Sequence, residues 1–156
     1  MPETDEYLGR LISDLQQRVL DLERLELALA AEDWTPVITQ SGTVTKTVNF
    51  ARITKIGKLR FVQVNMDVTG AGTIGNAVTI SGLPATSQVN VNRLGAVGSF
   101  RILNAGTAVY AGTVVANGVD SLIFFAHLET SAVGATPNFA LANTDVIMFE
   151  CWFETA

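Results

Sequence analysis

The sequence predicts an all-β protein: a β-sandwich or jelly-roll-like domain preceded by a short N-terminal coiled-coil helix. Three observations predict it. After Trp34, apolar and polar residues alternate in short runs separated by Gly, Asn, Ser and Pro, the period-2 pattern of half-buried strands. Before Trp34, leucines recur at a spacing of seven. Charge divides at the same place. Residues 1–33 hold nine acids and three bases, whereas residues 34–156 hold six acids and seven bases. That asymmetry marks two regions with different physics. A chain of 156 residues has room for one ordinary domain and a short appendage. The divisions are therefore 1–33, a helical oligomerisation or anchoring segment, and 34–156, a β-domain.

The helix follows from composition and spacing. Between Glu6 and Ala31 there is no Pro and one Gly, Gly9, in a run of Leu, Glu, Arg, Gln and Ala, all strong helix formers apart from the glycine. Thr4 is the expected N-cap, with acids in the first turn to complement the helix dipole. Leu8, Leu15, Leu22 and Leu29 recur every seven residues. With these at d, Ile12 and Val19 fall at a, and Leu11 and Leu25 at g. Branched a positions with Leu at d suit a parallel coiled coil. The apolar g positions widen the stripe, and three strands are expected. Glu26 at the next a position weakens the seam. The competing arrangement packs the helix against its own domain. The regular heptad and the absence of Gly or Pro in Ala30-Ala31-Glu32-Asp33 favour the coiled coil.

The strands follow in turn. Trp34-Thr35-Pro36 breaks the helix, because Pro cannot continue it. In 43–53, Val44, Lys46, Val48 and Phe50 share one face. In 58–68, Arg60, Val62, Val64, Met66 and Val68 oppose Leu59, Phe61, Gln63, Asn65 and Asp67. In 146–154, Ile147, Phe149, Cys151 and Phe153 oppose Val146, Met148, Glu150, Trp152 and Glu154. Shorter strands are expected at 77–80, 98–104, 108–116 and 122–127. Asn117-Gly118 between two such runs is a hairpin signal. Several runs are apolar on both faces, such as Leu122-Ile123-Phe124-Phe125, and contacts between subunits would bury the surplus.

Composition removes most chemistry. Apolar residues make up 48% and charged residues 16%, which argues for a folded chain. The single cysteine, Cys151, and single histidine, His127, argue against a disulfide framework, a multi-ligand metal site and a Ser-His-Asp triad. Cys151 is expected to be a buried small hydrophobe, and His127 structural or superficial despite Glu129 two residues on. Asp67, Asp120, Glu129, Asp145, Glu150 and Glu154 are the only acids available for a carboxylate pair in the β-domain, and no motif surrounds them. No catalytic residue, cofactor or metal is assigned, and the chain is not expected to be an enzyme. A small glycan-active enzyme is the weakest of the readings weighed. The Ala71–Asn76 glycines lack the Lys-Ser/Thr and the following helix of a phosphate loop. Lys46, Arg52, Lys55, Lys58 and Arg60 are expected on solvated strand faces, with no patch for nucleic acid. No apolar run reaches the roughly 18–20 residues needed to span a bilayer, and the N-terminus lacks the pattern of a signal peptide.

The stretch from Trp34 to Lys58 (WTPVITQSGTVTKTVNFARITKIGK) resembles the start of a β-sandwich module in small virion proteins of tailed bacteriophages. Gly75-Asn76-Ala77-Val78 leading to Gly82-Leu83-Pro84, and Leu141-Ala142-Asn143-Thr144-Asp145 leading to a last apolar strand, extend the resemblance to Glu154. It implies a homotrimeric fibre or knob on the virion surface, with tail or capsid proteins as partners and receptor binding, including host-surface glycan, as its task. A capsid decoration or head-fibre protein anchored through the helix is the alternative. Loops presented in several copies turn weak contacts into durable attachment. The candidate distal loops are Gly70–Asn76, Ala85–Asn92 and His127–Asn138. Trp34, Tyr110 and Trp152 are the aromatics available to a sugar.

Overall fold

A computed structural model describes residues 2–28, 31–90 and 95–155, with side chains described at 7–24 in the first of these segments. The chain divides into two compact units, 1–30 and 31–156. The first is one helix, α1 (Pro2–Ala28). Pro2 opens it, where a missing N–H costs nothing, so Thr4 lies inside the helix and is not its cap. Gln17 donates from Nε2 to Asp21 Oδ1 at 3.1 Å, one turn on. The helix stops short of residue 33. Ala31–Asp33 instead form a strand, because they pair with a long neighbour and Glu32 meets Lys55 at 2.6 Å.

Strands make up most of the regular structure. They are β1 (Ala31–Asp33), β2 (Val37–Thr39), β3 (Thr43–Val44), β4 (Lys46–Ile56), β5 (Leu59–Val68), β6 (Thr79–Ser81), β7 (Ala96–Asn104), β8 (Ala108–Ala116), β9 (Leu122–Ala126) and β10 (Val146–Glu154). All join one curled antiparallel sheet in the order β1-β4-β5-β10-β7-β8-β9-β6-β2-β3. The alternation expected over 58–68 and 146–154 holds residue by residue. Val62, Val64, Met66 and Val68 of β5, and Ile147, Phe149, Cys151 and Phe153 of β10, are buried. Phe124 of β9 meets both Phe100 of β7 and Phe149 of β10, with ring centroids 4.9 and 5.5 Å apart. The hairpin signalled by Asn117-Gly118 joins β8 to β9.

Two expectations fail on local grounds. Phe50 does not share the face of Val44 and Val48. A bulge between Val48 and Phe50 leaves Asn49 without a partner in the ladder. A one-residue shift flips every later side chain, so Ala51 and Ile53 point inward and Phe50 and Arg52 outward. Arg60 is not on a solvated face. It is buried, and backbone oxygens hold its guanidinium. Nη1 donates to Gly57 O at 2.6 Å and Leu59 O at 3.0 Å, and Nη2 donates to Thr86 O at 2.9 Å. Neutral carbonyl dipoles thus replace the water that a buried charge loses.

These contacts give the β unit two ends. Ala31, where the chain enters, pairs with Thr54, which pairs with Phe61 beside Arg60. The Gly57-Lys58 turn and the 3-10 turn Ala85–Ser87 lie at that end. The other end lies across the ten residues of β5, about 33 Å of strand. There Asp145 is buried. It accepts from Ala105 N at 2.8 Å and Ala142 N at 2.9 Å, while Val68 N donates to its carbonyl at 2.8 Å.

Gln40 binds the same end together. It is 1% exposed. Its Nε2 donates to Asn76 O at 3.0 Å and Phe139 O at 2.8 Å, and its Oε1 accepts from Leu141 N at 2.8 Å. A Cβ at Gly72 would collide with the amide oxygen, and one at Gly134 with the amide nitrogen. We expect Gln40→Met, which keeps length and loses the amide, to leave Phe139 O and Leu141 N, both buried, and the half-buried Asn76 O without this partner, and to cost about 3 kcal/mol. Urea unfolding of the variant beside the native chain measures it.

Candidate functional site

The residues singled out on the helix form a stripe open to solvent. Leu8, Leu15 and Leu22 at d, Ile12 and Val19 at a, and Leu11 at g are all exposed, from 45% at Leu11 to 63% at Leu22. Leu29 lies outside the described residues, as does the side chain of Leu25. Every described side chain from Tyr7 to Arg24 is exposed. Leu20 and Gln16 flank Ile12, Leu15 and Val19 along a shallow groove, with Glu23 at its margin. The apolar face is therefore broader than an a/d seam on both sides.

A second feature is the loop cluster at the far end of the β unit. Gln40 ties Asn76 to Phe139 and Leu141, Gly72 N donates to Leu141 O at 2.8 Å, and Val78 N donates to Val133 O at 2.8 Å. The structure thus brings Gly70–Asn76 and His127–Asn138 together. It separates Ala85–Asn92 from them, since Thr86 and Ser87 attach to Arg60 at the entry end. Val91 and Asn92 of that third loop lie outside the described residues. The tips of the paired loops carry apolar side chains: Ile74 is 62% exposed and Leu128 88%. Leu128 has a positive φ of 66° in the turn closed by Glu129 N donating to Ala126 O at 3.1 Å.

The third feature covers the outward face of β4, β5, β10 and β7. Phe50 is opposite Asn65, Asn65 opposite Met148, and Met148 opposite Arg101. The next row reads Arg52, Gln63, Glu150, Ser99. A shallow cleft of about 390 Å³ runs between them. Beyond it Phe61 stacks on Trp152, centroids 4.0 Å apart. Arg52 lies 5.5 Å over the Phe50 ring and 3.5 Å from Asp33. The side-chain oxygen of Asn65 is buried on the cleft floor and accepts no hydrogen bond. Arg101 and Glu150 are exposed, and neither has an ion-pair partner among the described residues. Sequence reasoning missed Phe50 here, because no residue type announces a bulge, and missed Gln40, whose partners are all backbone.

Among the described residues, no three of His, Cys, Asp and Glu come together as a metal site, and no helix is long and apolar enough to cross a membrane. His127 and Glu129 are exposed at a loop start. Asp145 is occupied by backbone amides, while Glu150 stands on the outward face. Of the three aromatics, Trp34 is buried and donates to Gly82 O at 2.8 Å, Tyr110 stacks on Phe139 at 4.7 Å, and Trp152 alone is exposed.

Comparison with protein-family models, curated proteins and solved structures finds no match.

Cys151 sits on the inward face between Phe149 and Phe153, and burial pushes its thiol up from 9.0 to about 12. A thiol so placed is a packing group and not a nucleophile. In the unfolded chain the proton leaves above pH 9, whereas in the fold it stays. The stabilising contribution is therefore full below pH 9 and is lost as pH rises towards 12. We expect Cys151 to react with a thiol-directed dye only in denaturant. We also expect Cys151→Ala to flatten the alkaline loss of stability, measured by urea unfolding across that pH range.

Proposed function

We propose that this chain is a structural protein of a tailed-bacteriophage particle, a trimeric fibre or knob that projects from the virion and attaches it to the host surface. The observation that carries this reading is the heptad stripe of α1, every described member of which is exposed. Most of the stability of a helix in a protein comes from packing its apolar face, and this face needs partners. Three copies wound together satisfy a and d, and the g leucines suit a third strand. The curled sheet then acts as a sandwich-like knob carried by the coiled coil.

The placement of the loops supports the attachment role. The chain enters the β unit at the Arg60 end, and the Gln40-tied loops stand at the opposite end. Three knobs on one axis present those loops in three copies, so that weak contacts to a repeated surface polymer add to a durable one. The exposed apolar tips and backbone amides of such loops suit a polymer of sugar rings, which offers both apolar faces and hydroxyls. The role is binding and architecture, with tail or capsid proteins as further partners, and not catalysis.

We expect light scattering to give a species of about 50 kDa, three times the 16.7 kDa chain. Leu15→Asp with Leu22→Asp should reduce it to the single-chain mass while the β unit unfolds at an unchanged urea concentration. A monomeric native chain would overturn the reading. Labelled protein should bind susceptible cells and compete with phage adsorption, and Ile74→Asp with Leu128→Asp should weaken that binding about tenfold without altering the native mass. Gold-labelled antibody on virions fixes the position: gold at the tail tip supports the attachment role, whereas gold on the head makes the chain a capsid decoration or head-fibre protein.

A further inference from the structure

The outward face of β4, β5, β10 and β7 is more apolar than solvent requires. Phe50 is 42% exposed and Trp152 46%, with Met148 half-buried in the row of Phe50 and Glu150 between Met148 and Trp152 along β10. The bulge at Asn49 is what turns Phe50 onto this face. It interrupts the longest ladder of the sheet to re-aim an aromatic ring outward, and bulges are commonly placed where a side chain has a task.

The same face carries two opposite charges without partners. Arg101 stands opposite Met148 on β10, and Glu150 stands opposite Ser99 on β7, so the two are diagonal neighbours on adjacent strands. They nevertheless form no ion pair in the chain. The row of Arg52, Gln63, Glu150 and Ser99 runs between the apolar side chains of Phe50 and Met148 and those of Phe61 and Trp152. Such a face, with one charge of each sign that has no ion-pair partner among the described residues, is complementary to a second face of the same kind. The arrangement suits a sugar less well. Trp152 has one ring face taken by Phe61 at 4.0 Å, and the cleft is a shallow trough open along its length.

We propose that this face is a contact surface for a second copy of the same chain, with Arg101 of one copy set against Glu150 of the next and Phe50, Met148 and Trp152 packed between them. The proposal rests on the oligomeric reading of α1, because helices that hold copies together raise their local concentration to the level at which a modest face associates. Its charge pairing is directional, so it fixes how neighbouring β units face each other.

The test uses the full chain and reads the dissociation midpoint by light scattering on dilution. Arg101→Glu and Glu150→Arg, each alone, place like charges across the contact. Each should move the midpoint about tenfold towards weaker association. In a trimer mixed from the two variants, two of the three contacts pair opposite charges, so mixing them in equal amounts should restore the midpoint to within about threefold of the native chain. Recovery on mixing arises only between copies, never within one. Phe50→Ser should weaken association at an unchanged urea midpoint of unfolding. An oligomer whose midpoint ignores both charge reversals would overturn the proposal and leave the reading of α1 standing. Singly weakened variants that fail to recover on mixing would also overturn it, as would loss of polysaccharide binding at constant mass, which would make the face a ligand site. A native chain that is monomeric at every concentration would remove both readings.

Discussion

The ladder of β10 is the constraint on which the β unit depends. It is the last strand in sequence and sits near the middle of the sheet, paired with β5 over nine positions and with β7 over six. Without it, the β4–β5 hairpin and the β7–β8–β9 meander have no common edge. Its strict alternation also sorts the molecule into two sides. Ile147, Phe149, Cys151 and Phe153 enter the core, and Met148, Glu150 and Trp152 mark the outward face. Core, cleft and the charged row all take their position from that one register. A slip of a single residue would exchange the two sides.

Polar groups inside this fold hold loops and ends. Gln40, Asp145 and Arg60 are buried, and their recorded partners are almost wholly backbone groups. Each stabilises a place where the chain leaves regular structure and its amides and carbonyls lack ladder partners. The uncharged amide and the carboxylate work at the loop-bearing end, and the guanidinium at the end where the chain enters. Apolar side chains that remain open to solvent lie on α1, on the outward sheet face and at the loop tips Ile74 and Leu128.

Much of the fold was legible because alternation is a local signal. The strands at 58–68, 108–116 and 146–154 could be read from period alone, as could the burial of Cys151. Short strands could not. β1, β2 and β3 have two or three residues each, too few to show a period, and they exist because tertiary pairing supplies their partners, β4 for β1 and the equally short β6 for β2 and, through it, β3. The bulge at Asn49 was invisible for the same reason. Arg60 stood in the inward-facing register from the start, and the residue type argued for solvent against the pattern. The pattern was the better guide, because carbonyls from distant segments supplied what a buried charge needs. The stripe on α1 was legible residue by residue, whereas the outward cleft was not, since it is assembled across four strands.

The amide of Gln40 has a consequence for how such a protein changes over generations. It grips its loops at Asn76, Phe139 and Leu141, near their bases, and leaves tips such as Ile74 and Leu128 bearing no structural duty. Substitutions at the tips are therefore close to neutral for stability, while the bases hold the loops in place. Mutation can drift freely at the points that meet the outside world, and selection for a new contact need not disturb the scaffold beneath it.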